Sequence, residues 1–153
     1  MERVSILLPA RNEAPRIAGN VARVCATAQR LIDTEWRGKA DSYEVIVVDD
    51  GSTDGTWAEL GRIAAGLPSV VPVRLPFNYG KGMALRQAFQ RSTGSWIFFI
   101  DADLDIAPEH MADLSRVLLK DNVDAVLGSK QIHETKTSYP WYRRVVSFTL
   151  SFC

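Results

Sequence analysis

The chain has 153 residues, 46% of them hydrophobic and 24% charged, a balance that suits one globular domain and excludes disorder and collagen-like repeats. Eighteen Lys and Arg stand against eighteen Asp and Glu, so bulk attraction to nucleic acid or to an anionic membrane is not the binding principle. Charge is instead segregated along the chain. Residues 101–124 hold seven acids against two bases, and residues 125–153 hold four bases against one acid, so a cation and an anion can be held side by side.

Five apolar runs, residues 4–8, 44–48, 70–75, 96–100 and 124–127, are continuous rather than alternating and rich in β-branched or aromatic residues. That pattern belongs to strands covered on both faces. Helical spacing fills the gaps. Ile17, Val21, Val24, Ala28 and Leu31 share one face of the first helix, and Cys25 lies on that apolar stripe. Residues 33–42 are polar and read as a loop. A second helix turns Trp57, Leu60 and Ala64 inward, with Asp54 or Thr53 as its cap and Gly66 as its stop. A third carries Met83, Ala84, Ala88 and Phe89 and ends before Gly94. Pro108 opens a fourth, with Met111, Leu114 and Leu118 facing inward. This βαβαβαβαβ order predicts an α/β fold: an open, doubly wound, mostly parallel sheet.

Residues 131–138 are polar and aperiodic. Behind Pro140, Trp141, Val145, Phe148 and Phe152 recur at helical spacing, with Arg143 and Arg144 near the start. This predicts an amphipathic helix that is uncapped when the chain ends at Cys153, as expected of an N-terminal portion, a truncated form or the product of a degenerate gene. The two cysteines have no metal-binding spacing, no signal-peptide pattern follows Met1, and no apolar run approaches the roughly 20 residues that span a bilayer. A reducing, cytoplasmic setting is expected.

Ligands of open parallel sheets bind beyond the carboxyl ends of the strands. Four expected strands end in polar clusters: Pro9-Ala10-Arg11-Asn12-Glu13, residues 49–55 beginning Asp49-Asp50-Gly51, residues 78–82 with Gly80-Lys81-Gly82, and Asp101-Ala102-Asp103. All four fall on one edge. At i and i+2 of an extended segment, Asp101 and Asp103 point to the same side, and two such carboxylates suit Mg²⁺ or Mn²⁺. Asp105 is a candidate third ligand, or part of a solvated loop. Asp49 and Asp50 can accept from a base N–H or ribose hydroxyls, although a turn and helix cap explain the residues after them. The Gly80-Lys81-Gly82 turn is not a Walker loop, because Gly82 stands where Ser or Thr would follow the lysine. It is not a dinucleotide fingerprint either, because Leu85 stands where the third glycine would be. It remains a turn with one cation at a helix start. Arg86 is either a partner of the acidic site or a solvated residue. His110 and His133 have no metal spacing and read as surface residues.

These four clusters in this order resemble the inverting family 2 glycosyltransferases of GT-A fold. Gly128-Ser129-Lys130 followed by Tyr139-Pro140-Trp141-Tyr142-Arg143-Arg144 is similar to the branch that includes the dolichyl-phosphate mannose and glucose synthases. The resemblance implies a nucleotide-sugar-binding domain over residues 1–138, with residues 139–153 starting a helix toward an acceptor or membrane part. It implies a donor pocket lined by Pro9, Ala10, Asn12, Glu13, Asp49 and Asp50, with Lys81, Gly82, Asp101 and Ala102 beside the donor. Asp101, Asp103 and Asp105 would hold Mg²⁺ or Mn²⁺, and Lys130 with Arg143 or Arg144 would hold an acceptor phosphate. Lys130 stands where the branch often has Arg, and Asp105 where it often has Gln. The implied reaction is inverting, metal-assisted transfer of a hexose from UDP-glucose or GDP-mannose to a polyprenyl phosphate at the cytoplasmic face of a membrane. A transferase acting on a sugar hydroxyl and a non-catalytic nucleotide-sugar binder are the alternatives.

Overall fold

The computed structural model describes residues 2–121 and 123–128. The chain runs β1 (Glu2–Ala10), α1 (Ile17–Asp33), β2 (Ala40–Asp50), α2 (Thr56–Gly66), β3 (Val70–Leu75), α3 (Lys81–Arg91), β4 (Trp96–Phe99), a 3₁₀ turn (Pro108–His110) and α4 (Met111–Asp121). Among the described residues the strands form one parallel sheet in the order β3-β2-β1-β4. The chain thus builds outward from β1 through β2 to β3, then crosses back to place β4 on the other side of β1. The strand order reverses at the β1–β4 boundary, which is where open sheets of this kind form a crevice.

Alternation along the strands explains the two layers. Val4, Ile6 and Leu8 of β1 and Val45 and Val47 of β2 pack with Val21, Val24, Leu60 and Met111, so α1, α2 and α4 share one face. Leu7, Ile46, Val48 and Val73 pack with Ala84 and Ala88, so α3 covers the other. Helices on opposite faces follow from right-handed crossovers that run first one way and then the other.

Several expectations change. Met83 and Phe89 are exposed, and α3 rests on the sheet through its fully buried alanines. Small residues there let the helix approach the large side chains of β1 and β2. Residues 33–42 are not simply a loop: β2 begins at Ala40, and Trp36 is fully buried. The Trp36 ring lies 4.9 Å from that of Trp96, and its Nε1 donates to Ser115 Oγ at 2.9 Å. One indole therefore ties the α1–β2 connection to β4 and α4. The expected fifth strand at 124–127 does not pair with the sheet, and Leu127 is 86% exposed. A strand needs a partner edge as well as apolar side chains, and residues 123–128 have none among the described residues. The expected elements at 131–138 and 139–153, together with His133, lie outside the described residues.

At the amino-terminal edge of the sheet, Glu44 is buried. Its Oε1 accepts from Ser5 Oγ at 2.7 Å, Thr93 N at 2.7 Å and Thr93 Oγ1 at 2.9 Å. Burial raises the cost of its charge, but these hydrogen bonds and Arg3 outweigh burial and hold its carboxyl below the usual range. Cys25 is buried as expected, and burial pushes its thiol pKa up. No helix among the described residues is long and apolar enough to cross a membrane.

Candidate functional site

The loops after β1, β2, β3 and β4 meet at the carboxyl edge of the sheet, as the strand-end clusters require. The first two are stitched together. Asn12 has a left-handed backbone (φ 53°), its Oδ1 accepts from Thr53 N at 3.0 Å, and its N–H donates to Ser52 Oγ at 2.9 Å. Glu13 N donates to Thr56 Oγ1 at 2.8 Å, and Ala14 N to Asp54 Oδ2 at 3.2 Å. Asp54 also accepts from Thr56 N at 2.9 Å, so it orders the entry to α2, which starts behind Gly55. Pro9 is half-buried and Ala10 buried at the end of β1.

The adjacent acids ending β2 face opposite ways. Asp50 accepts from Tyr79 N and Gly80 N, each at 2.8 Å, one on each carboxylate oxygen. It thereby fixes the turn before α3. Gly51 (φ 63°) passes so close to that turn that a Cβ on it would lie 2.3 Å from the Phe77 carbonyl carbon. Asp49 is fully buried, and its Oδ1 accepts from Ser52 N at 3.0 Å. Its Oδ2 has no hydrogen-bond partner among the described residues. Arg74 Nε stands 3.8 Å from it, beyond hydrogen-bond length, and the guanidinium lies over Trp57 at 5.6 Å from the ring centroid.

The acidic cluster is a turn rather than an extension of β4. Leu104 N donates to Asp101 O at 3.0 Å, and Leu104 takes φ 55°. The expected i, i+2 geometry of an extended strand therefore does not apply to Asp101 and Asp103. A strand that ends at the sheet edge has no neighbour to keep it straight, and the local Leu104 hydrogen bond closes the chain. Among the described residues no three His, Cys, Asp or Glu side chains converge on one point, so Asp101, Asp103 and Asp105 do not form a three-carboxylate cage. Asp103 Oδ1 instead accepts from Asp105 N at 3.1 Å. The donor chemistry still fits a hard divalent ion. Asp101 already carries a cation on its carboxylate, the Lys81 ammonium at 2.6 Å, and ions such as Mg²⁺ take only one or two protein carboxylates when phosphate and water complete the shell.

Two supporting residues escaped the sequence pattern. Asn20 on α1 donates from Nδ2 to the Ala102 carbonyl at 2.7 Å and so anchors the acidic turn. Arg16 pairs with Glu13 at 2.8 Å, and that hydrogen bond, with smaller help from Asp103 and Asp105, raises its pKa above the ordinary value. An Asn or Arg on a helix face has no spacing that announces such a contact. Arg86 is exposed on α3, and His110 stands at the surface 3.5 Å from Asp113. Lys130, Arg143 and Arg144 lie outside the described residues.

A family model described as Glycosyl transferase family 2 matches residues 5–151. The chain belongs to glycosyltransferase family 2. Among curated relatives of this family 2 chain is a dolichol-phosphate mannosyltransferase of Pyrococcus furiosus, 28% identical over 146 residues, 95% of this chain and 38% of that protein. Another is an undecaprenyl-phosphate 4-deoxy-4-formamido-L-arabinose transferase of Aeromonas hydrophila, 32% identical over 146 residues, 94% of this chain and 40% of that protein. The chain thus spans about two fifths of the length of these relatives. Among solved structures, the mannosyltransferase PcManGT from Pyrobaculum calidifontis, in complex with GDP-Man and Mn²⁺, superposes with a TM-score of 0.60 at 32% identity, covering 76% of this chain and 32% of that one. S. aureus TarS superposes with a TM-score of 0.61 at 23% identity over 88% of this chain and 39% of that one, which supports the shared fold. The four-stranded parallel sheet flanked by helices is that of the GT-A glycosyltransferases.

Proposed function

We propose that this family 2 chain forms the donor-binding part of an inverting transferase that moves a hexose from a nucleotide sugar to a polyprenyl phosphate. The observation that carries this reading is the acidic turn at Asp101–Asp103, set beside the β1–β4 reversal, with Lys81 paired to Asp101. It is the place on this edge where a strongly anionic diphosphate and a divalent ion suit the protein together. A relative named for dolichol phosphate, another named for undecaprenyl phosphate and a neighbour holding GDP-Man and Mn²⁺ support the substrate classes.

In this reading the nucleotide lies against the loops after β1 and β2, which Asn12 and Ser52 hold to each other, while Asp50 fixes the neighbouring turn before α3. Asp101 and Asp103 take Mg²⁺ or Mn²⁺, with Asp105 beside them. The bound ion would stabilise the negative charge that builds on the diphosphate leaving group. A phosphate oxygen of the acceptor attacks the anomeric carbon as the bond to the diphosphate breaks, which inverts the configuration. The acceptor is already an anion, so it needs positioning more than a general base. Lys130 and one of Arg143 and Arg144 supply the cations for it, at a membrane surface where a lipid phosphate resides.

The test is transfer of radiolabel from GDP-mannose or UDP-glucose to a short polyprenyl phosphate, read as label extracted into an organic phase. Label that moves only when the lipid phosphate is present supports the reading. Transfer to a sugar hydroxyl, or donor binding without any transfer, contradicts it. Where transfer occurs, Arg143→Ala with Arg144→Ala raises the acceptor KM or lowers kcat and leaves nucleotide affinity unchanged.

A further inference from the structure

The ion pair between Lys81 and Asp101 joins a helix start on one side of the site to the acidic turn on the other. Lys81 opens α3 directly behind Gly80, whose N–H is held by Asp50. The root of the lysine is therefore fixed to β2, while its flexible stem reaches across to β4. Its Nζ lies 2.6 Å from Asp101 Oδ1, and the two side chains are 61% and 46% exposed. A pair this open is screened by water and changes an equilibrium constant by no more than about fivefold.

We propose that Lys81 is an internal counter-ion of Asp101, standing where the divalent ion of the loaded site goes, and that the donor diphosphate draws it away. This rests on the reading of the site given above. An ammonium and a divalent cation repel each other at one carboxylate, so the ion alone must displace Lys81 without giving it a new partner. A diphosphate supplies that partner, and lysine, a point charge on a four-carbon stem, turns to it without the planar constraint of arginine. Nucleotide and metal then favour each other's binding, by the same factor in both directions. The empty site keeps Asp101 paired, and the metal enters fully when there is a donor to hold.

The experiment is calorimetric titration of the chain with Mn²⁺ alone, with Mn²⁺ plus GDP and with Mn²⁺ plus UDP, after correction for Mn²⁺ bound by free nucleotide. It compares the parent with Lys81→Met and Lys81→Arg. Lys81 is exposed, and circular dichroism checks that the variants keep the fold. Lys81→Met is expected to bind Mn²⁺ alone more tightly than the parent, by about 1.4-fold to fivefold, with a correspondingly smaller gain on adding nucleotide. Lys81→Arg, which keeps the charge, stays closer to the parent in both respects. Equal or weaker binding of Mn²⁺ alone by Lys81→Met, with nucleotide affinity reduced, makes Lys81 an ordinary diphosphate ligand and overturns the counter-ion role while leaving the site reading intact. Absence of both Mn²⁺ and nucleotide binding in the parent overturns both.

Discussion

Asn20 and Ala102 are 82 residues apart, yet the Asn20 side-chain amide donates to the Ala102 carbonyl at 2.7 Å. Ala102 is buried between two acids that reach solvent, and this bond is what α1 contributes to their placement. Asn20→Ala is expected to lower unfolding stability by about 1–3 kcal/mol, the cost of leaving a buried carbonyl without its donor. The same change weakens Mn²⁺-dependent nucleotide binding, because the turn loses its anchor. Urea unfolding and calorimetry read the two effects. An unchanged midpoint and unchanged affinity would show that the turn holds itself.

Gly51 and Gly61 make opposite predictions for the same substitution. A Cβ on Gly51 meets the backbone of Phe77 and Asn78 at φ 63°, whereas a Cβ on Gly61 meets nothing within 4 Å in the middle of α2. Gly51→Ala is expected to destabilise by more than about 2 kcal/mol, because neither neighbour is a side chain that can move aside. Gly61→Ala is expected to stabilise by roughly 0.5–1 kcal/mol from helix propensity. Thermal unfolding of the two variants tests both signs.

Glu44 gives the amino-terminal edge a pH dependence. Its folded pKa is lowered from 4.5, so its contribution is complete above the unfolded value and is lost as pH falls through the lower folded value. Urea unfolding of the parent should therefore weaken below about pH 5. Glu44→Gln is expected to be less stable at pH 7 by about 1–3 kcal/mol and to lose less on acidification. Parallel pH profiles for the two proteins would contradict this assignment.

Strands 4–8, 44–48 and 70–75 were legible because β-branched runs and two-sided burial are properties of the run itself, and each lies within or matches an observed strand. The inward face of α1 was legible for the same reason, with Ile17, Val21, Val24, Ala28 and Leu31 all buried. The strand-end clusters were legible because parallel topology puts every carboxyl end on one edge. What escaped the sequence depends on distant partners. Trp36 sits in a polar stretch and is buried because Ser115 and Trp96 come to it. Residues 124–127 have strand chemistry and no pairing partner among the described residues. Asp101 and Asp103 were placed by residue type, but their turn is set by Leu104 and Asn20, neither of which carries a site signature. Asp50 read as a ligand-facing acid, yet both its oxygens hold the backbone of Tyr79 and Gly80.

If the acidic turn takes a divalent ion together with a donor diphosphate, Asp103→Asn removes a carboxylate on which that joint binding depends. Asn keeps the acceptor that Asp103 offers to Asp105 N, so the loop is expected to stay in place while the charge is removed. The measurement is calorimetric affinity for GDP and for UDP with Mn²⁺ and with EDTA, in the parent and the variant. Mn²⁺ is expected to strengthen nucleotide binding in the parent, and most of this gain, tenfold or more (about 1.4 kcal/mol), is expected to disappear in Asp103→Asn without loss of fold. The same Mn²⁺-dependent gain in both proteins would contradict it.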